Sequence, residues 1–275
     1  MNTPAEAASN MLVNSEVVFL VAIFAFFGLM YVEKKHPLIT FPGKTYKESV
    51  VTNTASYLMN NVILTILRAS SMFFVAQQFS GFGLLSGLDN GLGKWLLTFL
   101  LYDLAIYAWH YASHHNDFLW RFHKIHHSDK SFNVSTGVRF HVFDLMLEIA
   151  YKCLFVILIG VDAQIVLMIE TLHLFFIFFH HANIAVPYEK ELSLFMITPS
   201  LHRTHHSTKR SEHDNNYGIV LALWDWVFKT RLEREPKKIG LDLIEAENVL
   251  QLFSLAFITE RHFLKILSWI PKGKR

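Results

Sequence analysis

Between Asp103 and His127 an apolar span runs into DLAIYAWHYASHHNDFLWRFHKIHH, and this stretch restricts the chain more than any other. Asp103, Tyr107, His110 and His114 follow one another at steps of four, three and four, so on a helix all four side chains project from one face. His110 and His114 can then grip one metal together. His123, His126 and His127 repeat the i, i+3, i+4 spacing, and His202, His205 and His206 repeat it again in PSLHRTHHS. Eight histidines thus fall into three helical clusters, and the rest of the chain must serve them.

The surroundings are apolar. Hydrophobic residues make up 52% of the 275, with 25 Phe, and mean hydropathy is positive. Charged residues are 17%, low for a soluble domain, so the composition points to a bilayer. A net charge of +2 leaves no extended basic face, which excludes nucleic acid as a partner. The single cysteine, Cys153, lies inside an apolar run and leaves neither a disulfide framework nor a thiolate metal site.

Residues 17–33 read as a first membrane helix, retained as an anchor, with EKKHP after it marking the cytoplasmic end. Residues 51–79 read as a second hydrophobic segment carrying a polar stripe, Tyr57, Asn61, Thr65 and Arg68, expected to face a substrate chamber or a partner helix. A Gly-rich loop, 80–93, leads to a third helix at 94–114. The polar block 115–141 holds Arg121, Lys124, Lys130 and Arg139, and its charge places it in the cytoplasm. Residues 142–161 and 163–181 form a tight helical hairpin returning to that side, where 187–240 is again polar and basic. The tail, 241–275, mixes apolar and charged residues and ends PKGKR, the pattern of an interfacial helix. The expected fold is all-α and integral to the membrane: one unit over 1–275, four to five transmembrane helices, and a cytoplasmic histidine-rich cap.

Imidazole suits iron, zinc, copper and nickel, so ligand type does not name the metal. Number narrows the choice, because eight clustered histidines exceed what one ion uses, and two metals in one site is the simplest account. Neither His110-x-x-x-His114 nor His123-x-x-His126 holds the glutamate that a zinc hydrolase needs as general base. Oxygen chemistry on a lipid-like substrate fits better than water activation.

These residues resemble the sterol desaturase and fatty acid hydroxylase superfamily of membrane di-iron oxygenases, over residues 95–232. Its three histidine boxes look like His110-x-x-x-His114, His123-x-x-His126-His127 and His202-x-x-His205-His206, with Asp103 and Tyr107 ahead of the first. NVSTGVRFH (Asn133 and Arg139 within it), HHANI and DNNYGIVLALWDWVFKT look like the connecting motifs. Lys229 stands where a glycine is usual in the last of these. The resemblance implies a catalytic region at 95–232 with two iron ions, O2 as co-substrate, and hydroxylation or desaturation of an unactivated lipid carbon, hydroxylation being favoured by the bacterial-like closing motifs. By the same analogy His181 of HHAN joins as a ninth ligand, with His180 beside it as the alternative. An inner bacterial membrane with the boxes on the cytoplasmic side follows.

Other candidates support that site. Asp103 and Asn183 are expected to accept from ligand imidazoles, since metal-bound histidines donate their other N–H to an oxygen. Glu170 and His173, within one membrane helix, are expected to act as an ionisable pair near the metals. Electrons must come from an external ferredoxin, reductase or cytochrome, because the chain has no dinucleotide-binding glycine motif, iron–sulfur cysteines or haem domain. A membrane transporter or store of zinc or nickel is the rival reading; it would string ligands across the bilayer midplane, whereas eight of the nine here fall at cytoplasmic ends.

Overall fold

In the computed structural model, which describes residues 4–67, 72–89, 91–242, 246 and 248–257, no strand forms among the described residues, and three isolated bridges tie loops together. The long helices are α1 (Pro4–Lys35), α2 (Gly43–Ile66), α3 (Met72–Phe79), α4 (Leu92–His115), α5 (Asp117–His127), α6 (Val142–Ile159) and α7 (Ala163–His181). Shorter ones follow: α8 (Glu189–Leu192), α9 (Pro199–His205), α10 (Arg210–His213), α11 (Leu223–Val227) and α12 (Val249–Ser254). By length and composition, one of the described helices, Ala163–His181, is apolar enough to cross a membrane.

The α6–α7 hairpin turns where expected. Gly160 ends α6 at φ +70°, and a Cβ there would fall 1.8 Å from the Phe82 carbonyl oxygen, so the 80–89 loop presses directly on the turn. Leu84 and Leu85 N–H groups bond to the Leu158 and Ile159 carbonyls at 2.9 and 2.7 Å. Below the turn, Phe99, Tyr102 and Ile106 of α4 pack with Val156, Val166 and Ile169 in a core shared by α3, α4, α6 and α7.

The second expected segment divides differently. Its helix starts at Gly43, stops at Ile66, and α3 begins after it; Arg68 lies outside the described residues. Asn61 is exposed and turns its amide back to the Tyr57 carbonyl, while Tyr57 and Thr65 are exposed too. The described part of the expected stripe, Tyr57, Asn61 and Thr65, therefore faces outward. The buried face is instead Ser49, Thr52, Asn53, Ser56 and Asn60. Those residues match the polar block 128–140, whose donors and acceptors would otherwise be buried unpaired.

Asp129 is the centre of that match. It accepts from Ser49 at 2.7 Å, Asn53 at 2.8 Å and Thr136 at 2.8 Å. Burial opposes its ionisation, yet the Arg139 charge and these donors hold its carboxyl below the ordinary range. Arg139 donates to Asn53 at 2.7 Å, to Ser128, and at 3.1 Å to the Ile125 carbonyl at the end of α5. Asn133 caps the 3-10 turn Val134–Val138 and bonds to Ser49. Both residues therefore fix the backbone around the second histidine box.

From the tail, Leu252, Leu255 and Ala256 are buried against Phe122 and Ile125 of α5. Of the expected interfacial tail 241–275, this described part packs on α5, and residues 258–275 lie outside the described residues.

Candidate metal centre

Helix geometry brings the boxes together. The last two turns of α4 present His110 and His114, and Asn116 then adopts an extended conformation and caps α5 by accepting from Phe118 and Leu119 N–H groups. The chain reverses there, and α5 aims His123, His126 and His127 back at α4. Pro199 opens α9, which carries His202 and His205, with His206 as its C-cap. His181 arrives from the end of α7.

All nine histidines are buried. They form two sets: His110, His114, His123, His127 and His205 in one, and His126, His181, His202 and His206 in the other, with the ligand atoms of each set within 4.8 Å of one another. The sets adjoin, since the His127 and His206 rings stack at 4.4 Å. His180 joins neither set; its ring lies 3.9 Å from that of His202.

In five of the rings Nδ1 is held by an oxygen. The His110, His181 and His205 Nδ1–H groups donate to the carbonyls of Tyr217, Ile177 and Asn215 at 2.9, 2.6 and 2.7 Å. His123 pairs with Asp144 at 3.1 Å and His114 with Asp214 at 3.3 Å. Each anchor leaves Nε2 as a lone pair facing inward, and the Nε2 atoms of His110, His123 and His205 are buried with no hydrogen-bond partner among the described residues. Elsewhere Nε2 atoms converge: His114 and His127 at 3.1 Å, His126 and His181 at 3.1 Å, His181 and His202 at 3.0 Å, His202 and His206 at 3.2 Å. Two nitrogens each about 2.1 Å from one ion and about a right angle apart would be separated by about 3.0 Å. The donor set fits two metal ions.

Electrostatics agree. Burial, then the neighbouring imidazoles, push His126, His127, His202 and His206 well below the ordinary histidine range, and the same causes act on His205. These rings are neutral at physiological pH, the form that ligates.

The supporting residues are not those expected. Asp103 touches no ligand imidazole: it accepts from Val220 and Leu221 N–H groups, from the Trp224 indole at 2.9 Å, and from His173 at 3.1 Å. It therefore ties the 219–224 segment to α4. Asn183 does not touch a ligand imidazole either, because its amide pairs with both backbone groups of Ile39 and its own N–H bonds to Glu33. Glu170 and His173 take separate partners: Glu170 accepts from Tyr102 and Lys152, while His173 bonds to Asp103 and the Ile169 carbonyl. Tyr107 bonds to Thr230 at 2.8 Å and stacks on Phe228.

Sequence reasoning missed Asp144, Asp214 and the Tyr217 carbonyl, which do the orienting work. Asp144 stands 21 residues beyond its histidine, a separation with no helical signature. Asp225 closes the last motif on itself, accepting from the Tyr217 and Gly218 N–H groups at 2.9 Å and from Thr230. This is how the WDWVFKT stretch holds the Tyr217 carbonyl under His110. Lys229, in the usual glycine position, takes φ +59°, where a side chain is strained.

A profile described as Fatty acid hydroxylase matches residues 95–230. The chain is 33% identical over 149 residues to ornithine lipid hydroxylase OlsE of Rhizobium tropici, covering 54% of this chain and 44% of that protein. It is 31% identical over 164 residues to alkylglycerol monooxygenase of Homo sapiens, covering 59% and 36% respectively. To the alkylglycerol monooxygenase of Danio rerio it is 25% identical over 235 residues, covering 85% and 52%. The aligned region thus spans about half or less of each relative's length. No solved structure matches the chain.

Proposed function

We propose, from the match of the fatty acid hydroxylase profile to residues 95–230, that this chain belongs to that family and is a membrane-bound di-iron oxygenase that hydroxylates a polar lipid. The observation that carries the reading is the gathering of nine buried imidazoles into two adjoining sets, one per metal. When bound, two irons would supply reduction of O2 with electrons and protons from outside the chain, one oxygen atom entering a C–H bond of the lipid and the other leaving as water. The chain's own residues do the rest. His110, His114, His123, His127 and His205 hold one ion, and His126, His181, His202 and His206 the other. Asp144, Asp214 and the Tyr217, Asn215 and Ile177 carbonyls fix the Nδ1–H tautomers. Apolar walls, among them Trp109, Phe140 and Ile177, form most of the narrow cavity, about 60 Å³, that reaches both sets.

In this proposal α1, α4, α6 and α7 cross an inner membrane, the α2–α3 segment adds a fifth span, and the histidine ends face the cytoplasm. Large apolar side chains exposed along three of these helices support it: Phe24 and Phe27 at 71% and 63%, Leu154 and Leu158 at 54% and 61%, Met168 at 55%. The names of the relatives favour ornithine-type or ether lipids as substrate and hydroxylation over desaturation. A transporter is disfavoured because the ligands gather at one site. The test is metal content with Mössbauer spectra on protein purified in mild detergent, together with lipidomics under 18O2 of cells carrying the chain or its His205→Ala variant. About two irons per chain and one labelled oxygen in a lipid, both lost in the variant, support the reading. A mononuclear zinc site with an unchanged lipid profile refutes it.

A further inference from the structure

Lys152 and Glu148 stand one turn apart on α6, within a proposed membrane span, where an ion is most costly and marks function by default. Lys152 Nζ lies 2.7 Å from Glu148 and 3.3 Å from Glu170 of α7, and Tyr102 donates its hydroxyl to Glu170. Two carboxylates around one ammonium leave a single negative charge in excess. The cluster is not sealed, since the Glu148, Lys152 and Glu170 side chains keep 22%, 16% and 35% exposure.

Glu148 and Lys152 also line the narrow cavity that reaches His110, His126 and His202. His180 lines it too, fully buried, and both of its ring nitrogens lack a partner of hydrogen-bonding geometry even though the Ile219 backbone lies beside the ring. A carbon presented to the metals through this cavity shares it with a carboxylate, an ammonium and an imidazole. A bare methylene chain would strip these groups of water and return no hydrogen bond in its place. An anionic headgroup would meet the excess negative charge. A hydrogen-bond donor meets neither penalty.

We propose that this wall selects a lipid carrying a hydroxyl or primary amine close to the carbon to be oxidised, with Glu148 and Lys152 as its specificity-determining residues. The oxidised carbon rests on the oxygenase reading above; the binding preference does not. The test is equilibrium binding to the full, metal-free chain in nanodiscs of neutral lipid, using radiolabelled long-chain 1,2-diol, long-chain primary amine and free fatty acid of equal chain length.

One charge-assisted hydrogen bond implies that the diol, the amine or both bind about tenfold or more tightly than the fatty acid. The amine alone identifies a cationic group, the diol alone a neutral one. Glu148→Gln removes the excess charge and brings the fatty acid close to the others, Lys152→Met sharpens the preference for the amine, and Lys152→Arg keeps the wild-type order. Equal binding of all three probes, or an unchanged order in Glu148→Gln and Lys152→Met protein that elutes as wild type, overturns the inference. Should the lipids bind in the expected order while none is oxidised by the metal-loaded protein supplied with O2 and a chemical reductant, the oxygenase reading falls and the site remains. Should a lipid be oxidised far from any polar group, with no binding order, this inference falls alone.

Discussion

Asp144→Asn isolates the contribution of a carboxylate that lies outside both histidine sets. Asp144 is buried in the first turn of α6 and lies 3.1 Å from His123 Nδ1, so it fixes the proton there and leaves Nε2 free to ligate. Asparagine keeps the shape and can still accept, but the bond is no longer charge-assisted. Such bonds contribute about 1.5–3 kcal/mol against about 1 for a neutral pair, and losing a partner of this kind typically costs about 10–100-fold in metal affinity. Four other imidazoles stay in the same set, which argues for the lower end, about tenfold, confined to one of the two ions. The assay is chelator competition on purified protein, counting metal per chain as chelator rises. Asp103→Asn is the control: Asp103 is equally buried, but its acceptors serve backbone, indole and His173, so its loss lowers thermal stability and leaves metal affinity alone. If Asp144→Asn keeps both ions at chelator levels that strip the Asp103→Asn protein, the assignment of orienting carboxylates is wrong.

The adjacent histidines should separate cleanly: His181→Ala loses one metal per chain by elemental analysis, and His180→Ala retains both. Lys229→Gly should raise the melting temperature, because glycine relieves a left-handed backbone costing about 1–2 kcal/mol for other residues; a fall would show the Lys229 side chain to be needed. Gly160→Ala should lower it, as the new methyl would collide with the Phe82 carbonyl, and an unchanged transition would mean that the hairpin tip shifts freely. The pH dependence has a fixed sign. His126, His127, His202, His205 and His206 titrate below their unfolded value of about 6.5, so below that pH the unfolded chain binds more protons. Stability of the metal-free protein is therefore full above pH ~6.5 and falls as pH drops, as denaturant titrations between pH 5 and 8 should show.

Much of this site was legible because helical spacing is local. Once His110 and His114 lie four apart on a helix their rings must share a face, whatever the rest of the chain does. The anchors on Nδ1 were not legible, because Asp144 meets His123 only after α5 has folded back on α4 and α6 has docked beside it. The polar stripe of α2 failed for a related reason. Periodicity locates a polar face but not what lies across from it, and a start at Gly43 instead of residue 51 carried Ser49 and Asn53 onto Asp129. Between these limits the two-metal partition follows a rule that spacing alone contains. In every box the i, i+4 pair stays in one set: His110 with His114, His123 with His127, His202 with His206. The i+3 residue of the second and third boxes, His126 or His205, crosses to the other set. A full turn of helix returns a side chain almost to the same azimuth, so positions 100° per residue apart coincide within about 40° at i+4 and diverge from it by about 100° at i+3. Adjacent histidines such as His126 and His127 thus belong to different sets, and each triplet gives two rings to one set and the third to the other. The boxes lock the two sites to each other, which is why losing a single i+3 histidine should loosen both.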